Sequence, residues 1–174
     1  MIDKNEISLM NPSIAIISIA ALRIMTSWNW INGAFFGTDS KASPDWLSGE
    51  GLLERISGPD GFAAKALYPF VGDFIRDIMT QNPCFWAWFI FLVYAIAGIS
   101  LFLGLFTRLG GLVAILAGIM NILAAGGNGA DTIGQNALLL ILGAIFMITG
   151  AGRFMGLDQL LLTKCHVRWL KYLS

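Results

Sequence analysis

Residues 14–36 read IAIISIAALRIMTSWNWINGAFF, an apolar stretch in which Arg23 is the only charged residue. About 20 apolar residues are enough to cross a hydrocarbon core of about 30 Å, so this stretch predicts a transmembrane helix. An ionisable side chain at that depth is costly, and a functional role is its default interpretation. The usual partner is a buried carboxylate, yet no Asp or Glu lies in any segment predicted to span the membrane. The partner of Arg23 is therefore the central question that the sequence poses.

The composition is typical of an integral membrane protein. Of the 174 residues, 56% are hydrophobic and 13% are charged, whereas soluble proteins average about 25% charged residues. The net charge is +0, so no basic surface predicts a nucleic-acid partner. The first apolar stretch is too long for a cleaved signal peptide and is expected to remain as an anchor. The lipid bilayer is thus the expected environment.

Four segments are long and apolar enough to predict transmembrane helices. They cover residues 14–36, 85–106, 109–125 and 133–150. Short connections join the last three, which must therefore lie antiparallel and adjacent, and their many glycines allow close helix packing. The predicted fold is all-α: one membrane domain over residues 1–174, built as an antiparallel four-transmembrane-helix bundle with a long outer loop.

The distribution of basic residues predicts the orientation. Six fall on the side of the termini: Lys4, Arg108, Arg153, Lys164, Arg168 and Lys171. Four fall on the other side: Lys41, Arg55, Lys65 and Arg76. The positive-inside bias predicts a multi-pass protein of the inner (cytoplasmic) membrane with both termini in the cytoplasm. Residues 152–174 then form a cytoplasmic amphipathic tail.

The outer loop, residues 37–83, is too long to be a simple connector. Apolar residues recur at four-residue spacing from Phe62 to Ile78, which predicts an amphipathic interfacial helix over about residues 60–79. Pro69 is expected to kink this helix. We expect the helix to lie on the outer interface or to cap the bundle.

The sequence lacks the residues that several kinds of cofactor require. The only histidine, His166, lies in the tail, so two histidines cannot hold a haem in the bundle. No C-x-x-C, metal-ligand spacing or nucleotide-binding motif occurs. We therefore expect no haem, metal or nucleotide. Any redox chemistry would use a diffusible quinone or a cofactor held by a partner chain.

Polar residues near the outer ends of the spans predict a pocket in the outer half of the bundle. The candidate binding residues are Arg23, Asn29, Asn32, Asn121, Asn128, Gln135 and Asn136. Arg23 would form the floor, the glycine-rich turn at residues 126–131 the rim, and the loop helix a lid. A sulfur oxyanion or a quinone carbonyl would complete such a site, and spacing does not choose between them. The alternative is that backbone carbonyls and amides hold Arg23 as a packing residue.

Three motifs carry a family resemblance. The run GISLFLGLFTR at residues 98–108 resembles the second-span signature of the DoxX and DoxD membrane proteins, and GAGRFMGLD at residues 150–158 resembles the motif that closes their fourth span. Arg23, followed by Trp30 and Gly33, is similar to their first-span pattern. The loop sequence PDWLSGEGLL at residues 44–53 looks more like DoxD than like the shorter DoxX members.

The resemblance implies a subunit of thiosulfate:quinone oxidoreductase, which joins two thiosulfates into tetrathionate and passes the electrons to quinone. It also implies a DoxA-like or other redox partner subunit, and oligomerisation is compatible with it. Arg23, Trp30 and Tyr94 are then the candidate catalytic residues. Many members carry a glutamate where this chain has Tyr94, so a proton-carrying carboxylate is missing from that position.

Two other functions remain open at the level of sequence. One is a non-catalytic structural or assembly subunit of a larger respiratory or redox complex. The other is an anion carrier, which is less favoured because the chain shows no internal repeat and no pair of broken helices at corresponding positions in two halves.

Overall fold

The structure is a computed structural model that describes residues 12–37, 40–153 and 155–164. Within those ranges the secondary structure is helical, with no strand. The α-helices are α1 (Pro12–Ile31), α2 (Pro44–Ser48), α3 (Glu50–Ile56), α4 (Pro69–Asp77), α5 (Pro83–Leu103), α6 (Thr107–Ala125), α7 (Ala130–Thr149) and α8 (Leu157–Lys164). A π-helical turn, Asn32–Phe36, extends α1. The predicted all-α fold is confirmed.

Four helical segments are long and apolar enough to cross a membrane. They are Ile14–Phe36, Pro83–Leu103, Thr107–Asn128 and Ala130–Thr149, each within a few residues of its predicted bounds. The chain is therefore an integral multi-pass membrane protein. We call the end of the bundle that carries residues 40–82 and the α6–α7 turn the loop end. The other end, with the α5–α6 turn and the segment after α7, is the tail end.

Local signals in the sequence set the ends of the long helices. Pro83 occupies the first turn of α5, and the Asn82 side chain accepts a hydrogen bond from the backbone N–H of Phe85 at 3.2 Å. Both features favour a helix start. Gly104 ends α5 and Gly150 ends α7, each in the left-handed conformation that glycine adopts without strain.

Glycines allow the closest helix contacts. A Cβ atom on Gly111 of α6 would lie 2.6 Å from the carbonyl oxygen of Gly143 in α7, and one on Gly98 of α5 would lie 2.7 Å from the side chain of Ile31. Without a hydrophobic driving force between helices in lipid, such close approach is a main source of packing energy. The order of packing follows the chain, since α1 packs on α5, α5 on α6 and α6 on α7.

We expect Gly111→Leu to lower the free energy of unfolding by about 1 to 3 kcal/mol, the usual cost of overpacking. The atoms that a side chain at this position would meet belong to the α7 backbone. The measurement is the thermal unfolding midpoint of the purified protein in detergent. Gly134→Leu is the matched control, since nothing lies within 4 Å of a Cβ atom at Gly134. Equal midpoints for the two variants would contradict this account of the α6–α7 contact.

The loop differs from its prediction. The helix expected over residues 60–79 is only α4, nine residues long, because Pro69 begins the helix instead of kinking it. Tyr68 before it is extended, as a residue preceding proline prefers to be. Residues before Tyr68 fold back onto α4, so closely that a Cβ atom on Gly72 would lie 2.5 Å from the carbonyl oxygen of Ala63.

Two short helices, α2 and α3, fix the first half of the loop to the bundle. The Trp46 indole is buried and donates a hydrogen bond to the carbonyl oxygen of Ala87 in α5 at 3.1 Å. Leu52 and Ile56 of α3 are buried in the same apolar cluster. Of the predicted tail, α8 covers residues 157–164, and residues 154 and 165–174 lie outside the described part of the chain.

Candidate functional site

A cavity of about 520 Å³ lies at the loop end, between the loop and helices α5 and α6. We call it the loop pocket. Its apolar lining comes from Trp46, Leu52, Phe62, Phe70, Val71, Phe74, Ile75, Met79, Ile90, Val93, Ala117, Met120, Leu123, Ala124 and Ala125. Its polar lining residues are Lys41, Tyr94, Asn121 and Asn136. The loop helix α4 supplies part of the wall, through Phe70, Val71, Phe74 and Ile75.

A chain of hydrogen bonds crosses three helices at the polar side of the loop pocket. The Tyr94 hydroxyl donates to Asn121 Oδ1 at 2.9 Å, and Asn121 Nδ2 donates to Asn136 Oδ1 at 3.1 Å. Asn136 Nδ2 donates to the carbonyl oxygen of Thr132 at 2.8 Å. The first two bonds tie α5, α6 and α7 together, at about 0.6 kcal/mol each for a typical interhelical bond in membranes. The third lies within α7 and orients the Asn136 amide.

Trp30 supports Tyr94 from behind. The two rings meet edge to face with centroids 5.1 Å apart, and Trp30 is fully buried. Trp30 does not line the loop pocket itself. Its effect on the pocket is to fix the orientation of the Tyr94 ring.

Lys41 is the cation of the loop pocket. Its Nζ atom lies 4.3 Å from the centroid of the Tyr94 ring and 5.2 Å from that of the Trp46 ring, positions at which the π electrons attract an ammonium. Nζ also makes a long hydrogen bond, 3.5 Å, to the carbonyl oxygen of Gly33. No carboxylate of the described residues forms a salt bridge with it. Burial lowers the pKa of Lys41 to about 8, because desolvation penalises the charged form.

Three of the residues predicted for the site line the loop pocket: Tyr94, Asn121 and Asn136. Four others are exposed and do not line it: Asn29, Asn32, Asn128 and Gln135. The sequence did not indicate Lys41, which lies outside every apolar segment and belongs to no recognised motif. Its role as a pocket residue follows from the fold of the loop, which returns α2 to the α5 surface.

The expected position of Arg23 at the floor of the pocket was wrong. Its side chain is buried at the tail end, where Nη1 donates to the carbonyl oxygen of Ala151 at 3.0 Å and Nη2 donates to that of Met155 at 3.1 Å. Helical side chains lean toward the N-terminus of their helix, which for α1 is the tail end. Carbonyls after the end of α7 are free to accept these bonds.

Arg23 also has an opposite charge nearby, in contrast to the prediction that it has no carboxylate partner. The Asp158 side chain is fully buried and interacts electrostatically with Arg23. Its Oδ1 accepts from the backbone N–H of Phe106 at 2.7 Å, and its Oδ2 accepts from the N–H and hydroxyl of Thr107 at 3.0 and 2.7 Å. Asp158 thus caps the start of α6 from 51 residues away in sequence. It was missed because it follows the fourth span.

All three sequence motifs meet at this place. Gly104, with φ +64°, comes so close to Arg23 that a Cβ atom there would lie 2.5 Å from Nη1. Gly152 donates its N–H to the Thr107 hydroxyl at 3.0 Å. We call this set the tail-end cluster: Arg23, Gly104, Thr107, Gly152 and Asp158. Thr107 bonds to Asp158 and Gly152, and Arg23 bonds to the adjacent carbonyls of the segment after α7. The motifs therefore encode a structural junction between α1, α5, α6 and that segment.

The glycine-rich turn at residues 126–131 has fewer free N–H groups for binding an anion than its sequence suggests. The N–H of Gly127 donates to the carbonyl oxygen of Lys65 at 2.8 Å, and that of Gly129 donates to Gly126 at 3.2 Å. Asp131 also places a negative charge in the first turn of α7. In the described part of the chain, no group of three or more His, Cys, Asp or Glu residues could hold a metal ion.

Comparison with known proteins gives one family. The profile of the family described as TQO small subunit DoxD matches residues 61–173. That range contains Tyr94, Asn121, Asn136 and Asp158, whereas Arg23 and Lys41 precede it. No curated protein and no solved structure matches the chain.

Proposed function

The chain belongs to the DoxD family, and from that premise we propose that it is the membrane subunit of a quinone-linked oxidoreductase of the thiosulfate:quinone type. In that reaction two thiosulfate ions form a sulfur–sulfur bond to give tetrathionate and release two electrons. The electrons and two protons convert a quinone to a quinol. A second, redox-active subunit of the DoxA type would oxidise the thiosulfate.

The loop pocket is the proposed binding site for the quinone head group. The observation that carries this proposal is an apolar cavity of about 520 Å³ with its polar groups gathered on one side. This volume lies within the usual range for small-molecule sites, about 300 to 1,000 Å³. A quinone is a flat, neutral ring with two carbonyl acceptors and an apolar tail. Apolar walls and a few convergent polar groups match that chemistry.

The charge of the pocket favours quinone over thiosulfate. Thiosulfate is a dianion, and the effective cost of burying an ion is several kcal/mol even after relaxation. Among the described lining residues, Lys41 is the one basic side chain that could offset this cost. A neutral quinone requires no such offset. We therefore assign the sulfur oxyanion to a site outside this pocket.

The same proposal includes the orientation. Six basic residues on the side of the termini, against four on the loop side, support cytoplasmic termini in the inner membrane. The loop pocket would then open near the outer face of that membrane, and quinone would enter it from the bilayer.

A pocket-filling variant tests the assignment. We expect Met120→Trp to weaken binding of decylubiquinone and menadione at least tenfold, because Met120 lines the pocket and the larger indole occupies its volume. The measurement is the dissociation constant from calorimetric titration of the full chain in nanodiscs. Leu138→Trp is the control, since Leu138 is exposed on α7 and should leave the constant within about twofold.

Two results would contradict the proposal. If both tryptophan variants bind the quinones as tightly as the unmodified chain, the loop pocket is not the site. If the unmodified chain binds neither quinone, the quinone site is not in this subunit.

The tail-end cluster favours one alternative, a structural or assembly subunit. Arg23 is held by backbone carbonyls of its own chain, as expected for a residue that maintains architecture. Under this alternative the chain would co-purify with a redox subunit but would bind no quinone alone. The titration above separates the two functions.

A further inference from the structure

Lys41 occupies an unusual place in the loop pocket. Its ammonium group lies against the rings of Tyr94 and Trp46, at the polar side of a pocket whose other walls are apolar. Lysine side chains normally extend into water because their charge is strongly hydrated. A lysine in this position that forms no salt bridge with any carboxylate of the described residues needs an explanation that packing alone does not give.

We propose that the Lys41 ammonium donates the hydrogen bond that holds a quinone carbonyl in the loop pocket, so that the pocket binds quinone tightly only while Lys41 is protonated. The inference rests on the proposed function and names the residue that recognises its substrate.

The hydrogen-bonding inventory of the pocket supports Lys41 as the donor. The single hydroxyl hydrogen of Tyr94 goes to Asn121. The amides of Asn121 and Asn136 each use one N–H within the chain of hydrogen bonds that joins the helices. Lys41 has three N–H donors and uses one in a long bond to Gly33. Lys41 therefore keeps two donors, and Asn121 and Asn136 keep one each; of these, the ammonium makes the strongest hydrogen bond to a carbonyl because it is charged.

The aromatic contacts fix the direction of this donor. Tyr94 is itself held by Asn121 and by the ring of Trp30. The Trp46 indole is held by its bond to the Ala87 carbonyl. Two fixed rings therefore restrain Nζ at the polar side of the pocket. Preorganisation of this kind raises affinity because the side chain loses little further freedom on binding.

Within residues 12–37, 40–153 and 155–164, no charged side chain forms a salt bridge with Lys41. The titratable group that faces it is Tyr94 of α5. The charged residues of the loop helices that line the pocket are exposed to solvent: Asp45 of α2, Glu50, Glu54 and Arg55 of α3, and Asp73, Arg76 and Asp77 of α4. Burial is accordingly the cause that lowers the pKa of Lys41 to about 8. The ammonium predominates below that pH and the neutral amine above it.

Because binding is coupled to protonation of Lys41, the affinity for quinone should fall as the pH rises. A ligand that binds only the ammonium form raises the pKa of Lys41 in the complex. Its affinity is constant well below pH 8 and falls about tenfold per pH unit well above pH 8. At pH 9.5 the dissociation constant should be roughly thirtyfold higher than at pH 6.5.

The experiment is a calorimetric titration of the full chain in nanodiscs with decylubiquinone at pH 6.5, 7.5, 8.5 and 9.5. We expect Lys41→Arg to bind with little change between these pH values, because its guanidinium remains charged throughout. Lys41→Met should bind at least tenfold more weakly than the unmodified chain at pH 6.5 and should also show no pH dependence. Lys65→Met is the matched control, a loop lysine that pairs with Asp60 and does not line the pocket.

The outcomes separate the inference from the function on which it rests. If the unmodified chain binds quinone with a constant affinity from pH 6.5 to 9.5, or if Lys41→Met binds as tightly as the unmodified chain, the role of Lys41 is wrong while the quinone site stands. If Lys41→Arg keeps the fall in affinity above pH 8, another group titrates and the role of Lys41 is again wrong. Absence of binding by the unmodified chain at every pH overturns both.

Discussion

Asp158→Ala lowers the free energy of unfolding by about 3 kcal/mol or more, because each buried donor left without its acceptor costs about 1 to 3 kcal/mol. The substitution removes the acceptor of three hydrogen bonds, from the N–H groups of Phe106 and Thr107 and from the Thr107 hydroxyl. It also removes the negative charge near Arg23. The thermal unfolding midpoint in detergent should fall by roughly 10 °C, at about 2 to 4 °C per kcal/mol for a chain of this size.

The control for Asp158 is Asp131→Ala. Asp131 is an exposed residue in the first turn of α7, where its interaction with the helix dipole is worth at most about 1 kcal/mol. Its midpoint should change by only a few degrees. If Asp158→Ala unfolds at the same temperature as Asp131→Ala, the buried cap on α6 contributes nothing to stability.

Arg23→Gln is expected to destabilise the protein by about 3 kcal/mol or more while leaving quinone binding by the folded protein within about twofold. The variant loses charged hydrogen bonds to the Ala151 and Met155 carbonyls and leaves Asp158 without its countercharge. Arg23 does not line the loop pocket, so its substitution should not change the affinity for quinone. Unfolding midpoints and quinone titrations of the same preparation measure both effects.

Arg76→Gln provides the comparison for Arg23. Arg76 forms an exposed pair with Asp73 at 3.1 Å, and such pairs are worth about 0 to 1 kcal/mol. If Arg23→Gln unfolds at the same midpoint as Arg76→Gln but no longer binds quinone, Arg23 is a substrate-binding residue and this account of it is wrong.

The fold could be predicted from the sequence because the main signal is the length of each apolar segment. A helix is the one element that satisfies its own backbone across a bilayer, so four apolar segments determine four helices. The loop was harder. Apolar spacing continued through Pro69 and predicted one long helix, but the ring of Pro69 starts α4 there.

The candidate site was only partly predictable. Amides in spanning segments pointed to Asn121 and Asn136 because few polar groups are placed in a membrane without partners. Arg23 was assigned to the wrong end of the bundle, although the lean of helical side chains toward the N-terminus favours the tail end. Its acceptors, the Ala151 and Met155 carbonyls, follow the fourth span, and residue spacing gave no sign of them. Lys41 gave no signal, because its burial depends on how a long loop folds back onto α5, a contact distant in sequence.

The tail-end cluster also constrains the order of events during biosynthesis. Arg23 lies 128 residues before the Ala151 carbonyl that receives its Nη1 hydrogen bond. At translation rates of about 5 to 20 residues per second, α1 is made roughly 6 to 26 seconds before that acceptor. For this interval Arg23 lacks its native partners, and inserting it into lipid costs about 2.5 to 3.5 kcal/mol on translocon scales. The last span must therefore be synthesised before Arg23 can make its native hydrogen bonds.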